Sequence, residues 1–445
     1  MPSQQQNTTS PFDFVIEEVT ITADRYDFKV NLHRVISEIN LYEHVDKPFI
    51  TGNIFFKDND NLFNEINWLG TEKVRIVLRT DENSSYVMTK DFRVERVNLG
   101  VKTNDNTEAF VIDIVEDHAY LSSLINVQQS YEGYHGEIIE QILDDHLNRK
   151  LLYKPETGFK KVRTIVPNLP PLQAANWIKD AAPNAFGSPY YLFSTLTDNF
   201  LRLIDLETVL ENTAIHGDRK YIHSLTFGPN VLSDQYDEID ESFVIQAMKT
   251  ANVNDLLKLV RRGFVSGKFT FFDILNGDRW QVEHDITETF NSMIARNALS
   301  SSKGTIDPIF DEDAGIQDFM SRDLDYISNS RIYTDWNDFS SYHEGNEQSY
   351  YKQRVTQHAL RHFLLKAPID INVPGKNFLR SDRNVSIGNK INIEFRMYEE
   401  QRGEMIDYKR SGEYFVYAAR HNFQSNRYTA NLKCAKLGQG VGVER

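Results

Sequence analysis

Gly388-Asn389-Lys390-Ile391-Asn392-Ile393-Glu394-Phe395-Arg396, near the C-terminus, has a counterpart in Gly70-Thr71-Glu72-Lys73-Val74-Arg75-Ile76-Val77-Leu78-Arg79. In each, a glycine turn opens a run whose apolar residues fall on alternate positions: Ile391, Ile393 and Phe395 in one, Val74, Ile76 and Leu78 in the other. The later copy continues with Gly412-Glu413-Tyr414-Phe415-Val416-Tyr417 and Thr429-Ala430-Asn431-Leu432-Lys433-Cys434. The earlier one continues with Asp91-Phe92-Arg93-Val94 and Ala109-Phe110-Val111-Ile112-Asp113-Ile114. Period-two alternation places one side of each run in a core and the other in water, which predicts half-buried antiparallel strands. The chain therefore reads as one small β-unit written twice.

Outward from these copies, the pattern divides the chain. Residues 1–11 are polar and predict a disordered arm without the basic and apolar regions of a signal peptide. Residues 12–116 read as a first β-domain, with turn chemistry at Asp58-Asn59-Asp60-Asn61 and Asn104-Asp105-Asn106. Over residues 117–215 the period changes. Ile138, Ile139, Ile142, Leu143 and Leu147 form one helical stripe. Pro170 and Pro171 open a second helix carrying Leu172, Ala175, Trp177, Ile178 and Ala181. Tyr190-Tyr191-Leu192-Phe193 and Phe200-Leu201-Arg202-Leu203-Ile204 flank a Thr197-Asp198-Asn199 turn, a hairpin signal.

Residues 216–365 form a mixed region, part of which is expected to join the second β-domain. It holds a helix over 252–262 ended by Gly263, a strand over 268–274, a polar acidic excursion over 300–341 and a helix over 347–366. Residues 366–437 complete the second β-domain, and 438–445 are a loose tail. The fold class is α+β and multidomain.

Composition sets limits. At 445 residues the chain is too long for one ordinary core, and its 40% apolar residues suffice for several. No apolar run reaches the roughly 18 residues that a membrane helix needs. A single cysteine, Cys434, excludes an intrachain disulfide and a cysteine-rich zinc site; its alternating strand predicts a buried apolar role. The net charge of −15 argues against wrapping a nucleic acid but suits a surface past which DNA slides. The chain is expected to fold in a cytoplasm.

The motifs that could carry chemistry fail on their details. His358 and His362 stand one helical turn apart, as in a zinc helix, but Ala359 occupies the place of the glutamate that would activate water. Asp58-Asn59-Asp60-Asn61 with Glu65 resembles a calcium loop, yet Phe63 and Leu69 stand where the glycine and bidentate glutamate belong. Gly438-Gln439-Gly440-Val441-Gly442 has no following helix to bind phosphate. Asp311, Glu312, Asp313, Asp323 and Asp325 supply the carboxylates a glycosidase would use, within a stretch that reads as solvated surface. The reading is of no catalytic, cofactor or metal residues. The alternative is a tail-associated hydrolase of cell wall or glycan, with 311–325 as its site.

A duplicated β-unit has a geometric meaning: three such chains close a ring with six near-equivalent positions, an adaptor's arrangement. The surrounding residues resemble the hub proteins of contractile phage-tail baseplates, related to the N-terminal hub part of type VI secretion spike proteins. Pro48-Phe49-Ile50-Thr51-Gly52-Asn53-Ile54 and Trp68-Leu69-Gly70-Thr71-Glu72-Lys73-Val74 carry the resemblance in the first β-domain. Ile165-Val166-Pro167, Ala174-Ala175-Asn176-Trp177-Ile178 and Ser188-Pro189-Tyr190-Tyr191-Leu192-Phe193 carry it in the second region. Asn372-Val373-Pro374-Gly375, Ser386-Ile387-Gly388-Asn389-Lys390-Ile391 and Ser411-Gly412-Glu413-Tyr414-Phe415-Val416 carry it near the end.

The resemblance implies two split, tail-tube-like β-barrels per chain plus α+β peripheral domains. It also implies a homotrimer, a hollow cylinder joining the hexameric tail tube or its initiator to a trimeric central spike. Tape-measure protein and DNA would pass its lumen, expected polar to acidic, and peripheral baseplate proteins would bind outside. The place implied is the virion's tail baseplate, assembled in the host cytoplasm; a secretion or tailocin-like machine shares the same physics. Two features depart from the pattern. The first copy has one residue more between its glycine and its first apolar strand position, and 300–341 has no place in it. No spike-like extension follows the second β-domain, so the spike is expected to be a separate protein.

Overall fold

The computed structural model describes residues 10–23, 28–58, 66, 68–81, 84–98, 102–104, 107–154, 157, 161–182, 184–226, 228–229, 240–250, 259, 262–264, 266–272, 279–286, 288–289, 292, 332–334, 341–343, 347–365, 368–399, 403–407, 410–424 and 427–436. Strands dominate, mostly antiparallel, with few helices, so the class is α+β.

The first unit comprises β1 (Val15–Ala23), β2 (Phe28–Asn31), β3 (Ile36–His44), β4 (Thr51–Asp58), β5 (Lys73–Arg79), β6 (Met88–Asn98), β7 (Lys102–Asn104) and β8 (Thr107–Glu116). All pairs are antiparallel, in the order β2-β1-β5-β6-β8-β4-β3, with β7 beside β8. The predicted alternation holds. Val74, Ile76, Leu78, Phe92, Val94, Ile112 and Ile114 point into one core with Val19, Ile21, Ile54 and Phe56.

The chain then enters a helical region: α1 (Asp117–Ser122), β9 (Ser130–Gly133), α2 (His135–Leu147), β10 (Leu151–Leu152), β11 (Val162–Ile165), α3 (Pro171–Ala181), β12 (Tyr190–Ser194), β13 (Leu201–Asp205) and α4 (Leu206–Glu211). The Tyr134 N–H donates to Glu137 at the start of α2, and Asn148, left-handed at φ 50°, closes it. Ile138, Ile139, Ile142 and Leu143 pack on Leu172, Ala175 and Ile178 of α3. Trp177 is only half-buried; Lys179 is buried instead, its ammonium held by Asp46 at 3.0 Å and Asp180 at 3.3 Å. β12 and β13 form the expected hairpin. β12 is buried on both faces: Tyr190 and Leu192 serve the helical core, and Tyr191 and Phe193 serve the core of the second unit.

Next come β14 (Lys220–Ser224), β15 (Ala247–Thr250), β16 (Ser266–Phe272), β17 (Arg279–Asp285), β18 (Ile332–Thr334), β19 (Ser341–His343) and α5 (Glu347–Arg361). The helix expected over 252–262 lies almost wholly outside the described residues. The polar excursion is not free throughout, because β18 pairs with β16 and β19 with β11. Low polarity contrast hid these short strands from a reading by period.

The final strands are β20 (Pro368–Pro374), β21 (Asn389–Glu399), β22 (Gly403–Ile406), β23 (Gly412–Gln424) and β24 (Arg427–Lys436). Here the order is β15-β20-β24-β23-β21-β14, with β14 parallel to β21. The path β3-β4-β8-β6-β5 is thus retraced by β15-β20-β24-β23-β21. Register repeats as well. Val94 faces Ile114 and Arg96 faces Asp113, with Glu95 bulged between; Val416 faces Cys434 and Ala418 faces Lys433, with Tyr417 bulged. Both opening glycines are left-handed, Gly70 at φ 78° and Gly388 at φ 71°. Strands from outside 366–437, β14 and β15, complete the second sheet.

Candidate assembly junction

The two units meet edge to edge. β3 pairs antiparallel with the C-terminal half of β23, from His44 opposite Ala418 to Glu38 opposite Gln424, so both units lie in one continuous sheet. Phe423 and Tyr428 of the second unit enter the core of the first, their rings stacked at 4.2 Å.

A carboxylate sits in this seam at a position the β3 alternation reserves for apolar residues. Ile39, Leu41 and Glu43 share one face, and all are buried. Glu43 accepts from the Leu196 N–H and the Ser386 hydroxyl, and lies 3.2 Å from His421 Nε2. His421 Nδ1 is 2.7 Å from the Tyr428 hydroxyl. One side chain of the first unit therefore fastens the loop after β12, the turn before β21 and strand β23, and His421 carries the network on to Tyr428 of β24. A buried polar network of this kind stabilises only when every member has its partner, and this one does.

Serine, histidine and a carboxylate also invite comparison with a nucleophilic triad. A relay needs the imidazole between the other two, using a different nitrogen for each. Here Ser386 and Glu43 both lie beside Nε2, and Glu43 and His421 are fully buried. The arrangement fastens strands.

A second buried set braces the first unit against β12. Lys90 Nζ is 3.0 Å from Glu116 Oε1, and Glu116 Oε2 accepts from Ile50 N at 3.0 Å and Ser194 Oγ at 2.8 Å. Burial alone would raise the Glu116 carboxyl; the ammonium and these donors outweigh it and hold the pKa at about 2. His118 beside it, 2.7 Å from Pro48 O through Nε2, is pushed down by burial.

The opposite face of the shared sheet is polar. Asn53, Asn40 and Asn422 bond in line across β4, β3 and β23, at 2.9 Å and 2.8 Å. Arg420 reaches back to Asn40 at 3.0 Å. Two ion pairs lie on it, Arg75 with Asp91 and Arg96 with Asp113. A groove over this face runs between Tyr42, Met248, Asn372 and Arg420.

A tail protein from Neisseria meningitidis MC58 matches over 96% of this chain and 98% of its own, at 10% identity and TM-score 0.50. The 43 kDa tail protein of prophage MuSo2 from Shewanella oneidensis matches over 94% and 98%, also at 10% identity and TM-score 0.50. The chain has the fold of phage tail proteins. A weaker match, with TM-score 0.38 and 7% identity over 97% of this chain and 79% of the other, is the E. coli c3393 protein, a type VI secretion component. Neither protein-family models nor curated proteins give a match.

Within this tail-protein fold the residues singled out by sequence fall apart from one another. His358 and His362 stack edge to face at 5.1 Å, with His358 also against Phe269. Asp58 is buried at the end of β4; residues 59–61 and 65 lie outside the described residues, as do 311–325 and 438–442. Cys434 is fully buried, and burial raises its thiol pKa. Among the described residues no group of three or more His, Cys, Asp or Glu could hold a metal, and no helix is long and apolar enough to cross a membrane. Glu43, His421, Lys90 and Glu116 went unread in the sequence. Their signal was available: each is a polar residue in phase with the apolar positions of its strand.

Proposed function

We propose that this chain is the structural hub of a phage-tail baseplate, a trimeric hollow adaptor between a hexameric tail tube and a trimeric central spike, without enzymatic activity. The observation that carries this reading is the repeated strand path, β3-β4-β8-β6-β5 and β15-β20-β24-β23-β21, joined edge to edge within one chain. Two similar but unequal units per chain present six near-equivalent sites to a tube on one side, while the three chains present three to a spike on the other. On this reading each unit is a split β-barrel, residues 12–116 and 366–437, the second completed by β14 and β15.

We assign the lumen lining to the polar sheet face. Its asparagine row, the pairs Arg75–Asp91 and Arg96–Asp113, and Lys249, Arg420 and Lys433 along its groove give a surface of mixed sign, less acidic than the net charge of −15 suggested. Tape-measure protein and DNA would pass such a wall without adhering.

The test is light-scattering mass of the purified protein, alone and mixed with its candidate spike, followed by negative-stain averages of the largest species. Three-chain rings with a central hole are expected. A chain that stays monomeric with the spike, and forms no ring, overturns the proposal.

A further inference from the structure

Where β15, β20, β24, β23 and β3 lie side by side, the polar sheet face carries two rows in register. One runs Lys249, Asp370, Lys433, Ala418, His44, and the next runs Ala247, Asn372, Asn431, Arg420, Tyr42. Both rows line the groove over this face, which has a volume of about 650 Å³, and Lys47 from the turn after β3 lines it too. Four cations, Lys47, Lys249, Arg420 and Lys433, thus meet at one groove of a chain whose net charge is −15.

Their own partners are few. Arg420 is shared with Glu38 at 3.4 Å. Lys47, Lys249 and Lys433 are exposed and have no ion partner among the described residues, unlike Arg75 and Arg96 of the same face. Asp370 stands between Lys249 and Lys433, while Glu43, which also borders the groove, turns its carboxylate into the buried seam. The cations act on what lies beside them: burial lowers the His44 pKa, Asp46 opposes this, and Lys47 and Lys433 lower it further. Cations gathered without counter-charges raise one another's energy and draw an anion.

The arrangement selects the kind of anion. A duplex carries a charge every ~1.7 Å and calls for a longer stripe of cations than four residues on separate strands. Neighbouring strands lie about 4.8 Å apart, which sets Lys249 and Lys433 about 10 Å apart with a carboxylate between them. Acidic side chains two or three positions apart on an extended peptide cover about 7–10 Å and can straddle Asp370. The groove also offers aromatic surface. Tyr417 is half-buried against the second core, and the Tyr42 hydroxyl accepts from Asn53 at 3.3 Å and keeps its own hydrogen to donate.

We infer that this groove is a docking site for an extended acidic peptide segment of a partner protein, its carboxylates meeting Lys47, Lys249 and Lys433 and its other side chains lying against Tyr42 and Tyr417. Such ion pairs are exposed, individually weak and screened by salt, so the segment docks reversibly. The inference goes beyond the hub reading and needs no ring.

The experiment titrates the purified chain, at low salt, into a dye-labelled Glu-Val repeat peptide of about eight residues, long enough to cross the five strands. Fluorescence anisotropy is the readout. A Gln-Val repeat of the same length and a single-stranded oligothymidylate are run beside it. The acidic peptide should bind saturably, and its affinity should fall as salt rises. Lys249→Glu and Lys433→Glu should each weaken it about tenfold. Lys150→Glu makes the same charge change just before β10, away from the groove, and should leave it unchanged. Circular dichroism and melting verify folding, and Lys433→Gln, which adds no like charge beside Asp370, repeats the test if Lys433→Glu does not fold. No saturable binding by the unaltered chain, equal binding of the Gln-Val repeat, or equal losses in Lys433→Glu and Lys150→Glu overturn the inference. Oligothymidylate bound as tightly as the acidic peptide also overturns it, and makes the groove a nucleic-acid site. A chain that binds the peptide but forms no three-chain ring upholds this inference and fails the hub reading; rings without peptide binding do the reverse.

Discussion

Glu43 is one carboxylate with three buried partners from later in the chain: the Leu196 N–H, the Ser386 hydroxyl and the His421 imidazole. Orphaning a buried donor costs about 1–3 kcal/mol. Glu43→Ala should therefore lower unfolding stability by about 3 kcal/mol or more in urea titrations, whereas Glu95→Ala, on the exposed bulge, should stay within about 0.5 kcal/mol. Glu116 adds a pH dependence. Its folded pKa of about 2 lies below the roughly 4.3 of an unfolded glutamate, so its contribution is complete above about 4.3 and is lost as pH falls toward 2. Lys90→Met leaves that carboxylate buried without its cation. The penalty should be about 3–5 kcal/mol at pH 7 and should shrink toward pH 4, where the carboxyl can take up a proton. Parallel urea curves at the two pH values measure this; a penalty independent of pH would show that Lys90 acts by packing alone. His216 works in a higher window. Burial holds its pKa near 4 against roughly 6.5 unfolded, so stability should fall from about pH 6.5 to pH 4, and His216→Phe should flatten that slope. Glu43, Lys90 and Glu116 were legible only as exceptions, polar groups in an apolar phase, and His216, in a turn, not at all. What each would touch depends on segments up to 378 positions away, which no local pattern encodes.

The two opening turns look alike in sequence and differ in what surrounds them. Gly70 has open space where a Cβ would project, whereas at Gly388 that Cβ would lie 2.4 Å from the Phe193 ring. Both are left-handed, which costs a non-glycine residue about 1–2 kcal/mol. Gly70→Ala should cost only that. Gly388→Ala should cost about 1–3 kcal/mol more, since it drives a ring of β12 out of the second core, and Phe193→Leu should recover part of the difference in thermal melts. The turns themselves were readable because glycine before an alternating run has a fixed local meaning. So were α2, α3 and the β12–β13 hairpin. The short strands β14, β15, β18 and β19 were not: strands of three to five residues carry too few alternations to stand out, and they exist because a longer neighbour offers them an edge.

Across the molecule, the duplication was visible as two similar runs, but the way the copies join was not, because strand pairing across 380 positions is decided by edges and not by period. That joining makes a prediction about cooperativity. β3 and β23 share a ladder, Phe423 and Tyr428 sit in the core of the first unit, and Glu43 fastens three further segments to β3. If those contacts dominate, the two units cannot open separately, and protection against hydrogen exchange in β8 and in β24 should be lost at the same urea concentration with the same slope. Glu43→Ala should uncouple them, so that one strand exchanges by a smaller, earlier opening while the other keeps the global value. Staggered loss of protection in the unaltered chain would mean that the seam is a contact between two independent folds. A ring built from such chains would then flex within each chain as readily as between chains. Joint loss would instead mean that the seam binds the two units into one cooperative body, which opens only as a whole.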